Sequence, residues 1–192
     1  MIVAMYRMKV FFLLCFILFG FGKAEALITK PYTFKITIND IKVIRIITPG
    51  LSGPISLMLF ASEAGASVQT SSNSTDSHSW LQVTSISPAG VYRKIQVSIT
   101  SGNIPRGTLL KLSAANCSTG EGIRGSATTI PFNLLRNTNI TLVSGIGSCY
   151  TGTLNTSGYN LTYNFTTDPA NLGAIRSFTN NIITVTYTIT NE

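Results

Sequence analysis

The last ten residues constrain the fold of this chain more than any other stretch. Residues 182–191 read IITVTYTITN, so that β-branched or aromatic residues alternate strictly with threonines. One side of an extended chain would carry the four apolar residues Ile183, Val185, Tyr187 and Ile189. This two-residue period is typical of a half-buried β-strand. We therefore expect the chain to end in a strand, and function to depend on whether its sheet is completed within one chain or by another.

Residues 1–26 have the pattern of a secretory signal peptide. A short basic region precedes an apolar run over residues 10–21, and the small residues Ala24 and Ala26 provide a cleavage site. The apolar run is too short to span a membrane comfortably. We predict that the mature chain begins at Leu27, has no membrane span after signal removal, and is secreted, periplasmic or displayed on the cell surface.

The expected mature chain, residues 27–192, is long enough for one domain with its own core. Three of the 14 basic residues and one of the 7 acidic residues lie in the signal peptide, which leaves 11 and 6, or a net charge of +5. No basic run is longer than Arg93-Lys94, so we expect no nucleic-acid surface. The sequence has a single histidine and no phosphate-binding loop, and we predict neither a metal site nor a cofactor.

Enzymatic patterns are weak. A serine-histidine-aspartate site can be drawn from Asp76, His78 and Ser79. These residues belong to the small, polar stretch at 61–79, which we predict to be an exposed loop or a frayed edge, where no burial would orient them. No two acidic residues pair nearby as a glycosidase would need. We therefore expect a protein that is not an enzyme.

Strand-like segments recur along the mature chain. Residues 33–39 (TFKITIN) and 159–166 (YNLTYNFT) alternate in polarity, and residues 91–100 (VYRKIQVSIT) do so apart from Arg93. Residues 55–60 (ISLMLF) are apolar on both faces and predict a central strand or another element that faces a sheet. Short strands separated by Gly, Pro, Asn and Ser clusters, without a helical period, predict an all-β fold, specifically an immunoglobulin-like antiparallel β-sandwich.

The mature chain retains two cysteines, Cys117 and Cys149. In an exported protein such a pair most simply forms a disulfide. On the chain-entropy model, closing this loop would stabilise the fold by about 3 to 4 kcal/mol. A redox or metal role would need a CxxC spacing or further histidines, so we predict a structural disulfide.

Aromatic residues offer a second kind of site. Trp80 follows the polar stretch directly, and an exposed aromatic face there could stack against a sugar ring. The other interpretation is that the aromatic residues belong to the core or the sheet faces of a β domain. Trp80 is the candidate ligand contact under the first interpretation.

The C-terminal part of the chain, residues 145–192, resembles bacterial pilin-like proteins. The resemblance is carried by the final strand with its tyrosine (Val185-Thr-Tyr187-Thr-Ile189), in an exported all-β domain rich in Thr, Asn, Gly and Ser. The spore coat protein U group of chaperone-usher subunits is similar in these features. In that family an incomplete immunoglobulin-like sandwich is completed by the N-terminal extension of the next subunit. The resemblance implies a fimbrial protein of the bacterial surface.

The resemblance also implies which residues would pair. Its donor strand would be residues 33–39, with Phe34, Ile36 and Ile38 as the inserted side chains, and the terminal strand would lie beside the acceptor groove. We therefore expect a non-enzymatic surface-structure or adhesion subunit that binds other protein subunits by β-strand complementation. The alternative is a self-contained secreted β-sandwich that binds a carbohydrate, such as a cell-surface glycan, or another surface, through Trp80 and the polar stretch at 61–79.

Overall fold

We describe the protein from a computed structural model, over residues 33–61, 63–64, 68–70, 74–178 and 181–192. The chain divides into two compact units, Met1–Thr37 and Ile38–Glu192. The predicted signal peptide and the expected start at Leu27 lie outside the described residues. Within the described ranges, no helix has the length and apolar character needed to cross a membrane.

The described part of the second unit is all-β. Its thirteen strands are β1 (Ile41–Ile47), β2 (Leu59–Phe60), β3 (Gln69–Thr70), β4 (Thr75–Ile86), β5 (Arg93–Ser101), β6 (Thr108–Ala114), β7 (Glu121–Gly122), β8 (Ser126–Ala127), β9 (Phe132–Asn133), β10 (Ile140–Ile146), β11 (Cys149–Tyr150), β12 (Tyr159–Thr167) and β13 (Thr184–Asn191). A 3₁₀ helix at Pro169–Ala174 follows Asp168, whose side chain accepts a hydrogen bond from the backbone N–H of Ala170. The predicted all-β class is confirmed.

The larger sheet has seven antiparallel strands in the order β7-β11-β4-β12-β6-β9, with β1 paired to the remaining edge of β4. β11 and β12 lie one after the other along one edge of β4. Gly158 permits the close start of β12, since its φ is +103° and an added Cβ would lie 2.2 Å from the carbonyl oxygen of Leu81. Glycine is therefore required where β12 joins β4.

The smaller sheet has four antiparallel strands in the order β13-β5-β10-β8. β13 pairs with β5 along its whole length, from Thr184 opposite Ser101 to Asn191 opposite Arg93. It therefore forms one margin of this sheet. A separate two-stranded ladder joins β2 to β3.

The two larger sheets share one hydrophobic core. Leu81 and Leu161 of the larger sheet belong to the same buried cluster as Val97 and Leu142 of the smaller sheet, and all four side chains are fully buried. β12 shows the expected alternation, because Tyr159, Leu161, Tyr163 and Phe165 are buried and the intervening residues are half-buried. The burial of apolar surface between these inner faces is the main stabilising contribution.

Residues 55–60 do not form a central strand, which was one of the two predicted arrangements. Only Leu59–Phe60 joins a ladder, and its partner is Gln69–Thr70. Ile55, Leu57 and Leu59 are nevertheless partly buried against the core. Apolar character therefore predicts burial here, but the segment reaches the core without the main-chain partner that a central strand requires.

We expected the polar stretch at 61–79 to be an exposed loop or a frayed edge, but its last residues belong to β4, which begins at Thr75. Four residues of β4, from Asp76 to Ser79, lie opposite three residues of β12, from Leu161 to Tyr163. This extra residue is a β-bulge, and it brings Asp76 and Ser79 both to buried positions. The strand tolerates polar residues because the bulge lets their side chains find partners.

The predicted disulfide is absent, since Cys117 and Cys149 are free thiols. The Cys117 Sγ is instead 3.2 Å from the carbonyl oxygen of Thr119, which accepts its hydrogen bond. Burial is the main cause that raises the pKa of the Cys149 thiol, and the electrostatic interaction with Cys117 raises it further. Cys149 begins β11, and Cys117 lies in the loop between β6 and β7.

Candidate functional site

The terminal strand β13 has the orientation that its alternation predicts. Ile183, Val185, Tyr187 and Ile189 are partly buried and pack against the core. The threonines lie on the opposite face, where the hydroxyls of Thr100 and Thr186 are 2.8 Å apart. β13 thus covers one margin of the core with its apolar face.

A pair of tyrosines fixes the middle of β13 to the larger sheet. The hydroxyls of Tyr163 in β12 and Tyr187 in β13 are 2.5 Å apart. Burial raises the pKa of both phenols, most strongly that of Tyr187. Because both hydroxyls are held away from water, each depends on the other as a hydrogen-bond partner.

One side of the domain presents two sheet margins together. β13 ends the smaller sheet, β1 ends the larger one, and the two strands are in contact. Among the residues that the structure describes, no strand pairs with the outer edge of either. Unpaired N–H and C=O groups along such margins are a template for another strand. We call this side the open margin, consisting of Ile41–Ile47 and Thr184–Asn191.

Residues 33–40 have no secondary structure, although residues 33–39 were expected to form a strand. We call residues 33–39 the N-terminal segment. Its three apolar side chains are among the most exposed of the described residues, with exposed fractions of 82% for Phe34, 83% for Ile36 and 74% for Ile38. The alternation is present, but the described residues contain no ladder partner for it. An exposed alternating segment of this kind has a face suited to insertion beside a strand.

A buried arginine anchors the chain directly after this segment. Arg93 is completely buried, and its guanidinium donates to the Asp40 carboxylate and to the Ile41 carbonyl. It also donates to the hydroxyl of Ser85 at 2.7 Å and to the carbonyl of Ile86 at 2.9 Å. Arg93 does not merely interrupt the alternation of β5, since it occupies an inward position and joins β5 to β1 and β4.

The same contacts locate the start of β1 within the domain. Ile41 lies opposite Ile86 at the end of β4, and Arg93 lies opposite Asn191 at the end of β13. The start of β1 and the end of β13 therefore meet at one pole of the open margin, where Arg93 lies.

The residues of the candidate triad do not come together as a triad. The Asp76 carboxylate is 2.9 Å from Nδ1 of His78, so these two residues interact. Ser79 is buried, and its hydroxyl is 3.2 Å from that of Thr48, whereas the side chain of His78 is 71% exposed. The Ser79 hydroxyl therefore lies in a buried environment and the His78 imidazole in an exposed one.

Trp80 lies within the larger sheet and not beside a loop. It pairs with Ile47 of β1 and Asn160 of β12, and it is half-buried. Its neighbour Leu81 is fully buried in the core, so Trp80 lies on the outer face of the sheet. Only part of the ring is available to a ligand.

Sequence reasoning missed Arg93, Asp40 and the Tyr163–Tyr187 pair. The position of Arg93 in VYRKIQV, two residues before Ile95 on the apolar side of the alternation, was a signal that it would be buried. A buried arginine needs a carboxylate or several carbonyls nearby, but the sequence does not show which residues supply them. In the described ranges, no group of three or more His, Cys, Asp or Glu residues could hold a metal ion.

Comparisons of this chain with protein-family models, with curated proteins and with solved structures found no match.

Proposed function

We propose that this protein is an exported, non-enzymatic surface subunit that assembles when the N-terminal segment of one copy pairs with the open margin of another. One observation carries the proposal: an exposed segment that alternates in polarity occurs in the same chain as two adjacent sheet margins without a described partner. Strand addition uses main-chain hydrogen bonds for affinity and alternate side chains for register. The outer edge of β13 offers the main-chain groups for these hydrogen bonds, and the N-terminal segment offers the alternating side chains.

The strand order supports an immunoglobulin-like sandwich with a position left for a further strand. In such a sandwich the order β1-β4-β12-β6 would correspond to strands A, B, E and D, and the pair β13-β5 to strands F and C, with β10 as an addition at the other edge of β5. In a complete sandwich, strand G pairs with the second edge of F. No described residue pairs with that edge of β13, and we assign this position to the N-terminal segment of a partner copy.

The segment fits the position in length and in chemistry. Residues 33–39 are seven in number, and β13 contains eight. Each large apolar side chain that becomes fully buried contributes about 1.5 to 3 kcal/mol before the costs of ordering and association. Phe34, Ile36 and Ile38 are exposed enough in the single chain for most of this contribution to be gained on pairing.

The experiment compares the full chain with the double variant Phe34→Asp and Ile36→Asp. We expect the unchanged protein to form oligomers by light scattering and a heat-sensitive ladder on a denaturing gel run without boiling. The double variant should be monomeric, because charged side chains resist burial between strands. Ile130→Asp is the matched control, since Ile130 is 78% exposed and lies outside the segment. Oligomers of equal abundance in the double variant would exclude the proposed pairing.

A further inference from the structure

We propose that the outer face of the larger sheet binds an acidic saccharide, with a sugar ring stacked on Trp80 and a sugar carboxylate paired with the guanidinium of Arg45. We call this surface the aromatic face, and it consists of Arg45, Ile47, Trp80, Tyr150 and Asn160. The site is separate from the strand addition proposed above, because it uses the side chains of a sheet face and not the main-chain groups of a sheet edge.

Strands β1 and β4 place the indole ring and the guanidinium on the same side of the sheet. Leu81 and Val83 are buried in the core, so Trp80 and Gln82, which alternate with them, project from the opposite side. Arg45 lies opposite Gln82, and residues directly opposite each other share a side. Arg45 and Trp80 are therefore diagonal neighbours, which in a sheet lie about 7 to 8 Å apart. One bound ligand can contact both.

A second aromatic side chain extends this surface. Tyr150 of β11 lies opposite Thr84, and it is 48% exposed. Thr84 follows Trp80 and Gln82 on the same side of β4, and four residues of an extended strand span about 13 Å. The row that contains Arg45 lies between the rows of the two rings. The aromatic face thus offers two rings with a cation between them, over the length of a short oligosaccharide.

The charge of Arg45 is available to an anionic ligand. Arg45 is exposed, and the ion pairs among the described residues use Asp40 and Asp76 as their acids, with none that includes Arg45. The whole chain has 14 basic and 7 acidic residues, a balance that attracts anions. A guanidinium pairs with a carboxylate through two parallel hydrogen bonds. These observations favour a sugar that carries a carboxylate, such as a uronic acid.

A saccharide also matches the mixture of apolar and polar groups on this surface. The C–H face of a sugar ring packs on an aromatic ring, and its hydroxyls form hydrogen bonds with polar side chains beside that ring. Trp80 is half-buried, and Asn160 lies directly opposite it. Nδ2 of Asn160 donates to the carbonyl oxygen of Ser77 at 2.7 Å, which holds this amide in place next to the indole.

The test uses the intrinsic fluorescence of the full chain, because Trp80 is its single tryptophan and reports on this site alone. Titration with oligogalacturonate should change the emission saturably, whereas a maltooligosaccharide of the same length, which is uncharged, should not. Arg45→Gln should weaken oligogalacturonate binding by about tenfold or more, because the charge-assisted hydrogen bonds are lost. Arg176→Gln is the matched control, since Arg176 is exposed and lies after the 3₁₀ helix, outside the aromatic face. Its affinity should stay within about twofold of the unchanged chain, because salt screens a distant charge.

Three results would overturn the proposal: an emission that oligogalacturonate does not change, equal affinity of the Arg45→Gln chain and the unchanged chain, or equal weakening by Arg45→Gln and Arg176→Gln. The last result would mean attraction by net charge and not by a site. Because the proposed assembly uses the edge of β13, Arg45→Gln should form oligomers like the unchanged chain in light scattering. Failure of the saccharide site and failure of the proposed function are therefore distinguishable.

Discussion

Residues 33–39 and β13 have nearly the same pattern but different surroundings. TFKITIN and TVTYTITN both alternate threonine or another polar residue with large apolar residues. β13 pairs with β5 over its whole length and packs Val185, Tyr187 and Ile189 against the core. The N-terminal segment has no secondary structure, and its apolar side chains are exposed.

The difference shows that alternation specifies a face and not a partner. An isolated strand gains little in water, because its ladder hydrogen bonds need a neighbouring strand and its apolar face needs a covering layer. β13 finds both within its own domain. Experiments that measure the stability of the domain separately from the association between chains therefore best distinguish the N-terminal segment from β13.

The largest effect on the free energy of unfolding is expected from Tyr187→Ala, which tests how β13 is held in the domain. The substitution removes a partly buried ring and leaves the Tyr163 hydroxyl without its partner. Large-to-small changes of aromatic core residues typically cost about 3 to 5 kcal/mol. Because Tyr187 is only partly buried by surface area, we expect a loss of about 3 kcal/mol in the free energy of unfolding, measured by urea denaturation.

Tyr92→Ala is the matched control for this substitution. Tyr92 is 46% exposed and lies just before β5, so its removal should change the free energy of unfolding by less than about 1 kcal/mol. Equal losses for the two variants would mean that β13 is not held by the tyrosine pair, and that the contrast with the N-terminal segment is smaller than the structure indicates.

The sequence was sufficient for the parts of the fold that follow a local period. The alternation in β12 and β13 predicted which side chains face the core, since strand periodicity depends only on neighbouring residues. Features that depend on residues far apart in the sequence could not be predicted from a local period. The β-bulge that admits Asp76 and Ser79 to buried positions depends on the register of β4 against β12.

The candidate site shows the same limit. Phe34, Ile36 and Ile38 could be selected by their alternation, but their lack of a described partner required the structure. The contact between Arg93 and Asp40 joins residues 53 positions apart, and no local pattern reports such a pair. The disulfide was expected from the number of cysteines and from export, whereas bond formation depends on geometry that neither reveals.

A smaller effect on the free energy of unfolding than that of Tyr187→Ala is expected from an alkaline titration, which tests how β13 is held. Burial holds the pKa of Tyr163 and Tyr187 above the ordinary tyrosine value of about 10. The folded state therefore keeps protons that the unfolded chain loses above this pH. The contribution of these phenols is complete below about pH 10 and declines as the pH rises through their folded values.

The measurement is the free energy of unfolding between about pH 9 and pH 11, for the unchanged chain and for Tyr163→Phe, Tyr187→Phe. The double variant should lose less stability over this interval, because it lacks two of the phenols that must ionise on unfolding. Tyr159, whose pKa is also raised by burial, remains in both proteins and contributes equally. Parallel pH profiles would show that the Tyr163–Tyr187 contact does not hold β13.

The smallest effect on stability is expected from Phe34→Ala, and this result is the most informative about the N-terminal segment. Phe34 is 82% exposed, so its truncation should change the free energy of unfolding of the monomer by no more than about 0.5 kcal/mol. The same substitution should weaken assembly, because the phenyl ring would be buried only when the segment pairs with another chain. A large loss of monomer stability would show that the segment is already packed within its own chain. An unchanged monomer with weakened assembly would show that one alternating pattern serves the domain in β13 and the association between copies in residues 33–39.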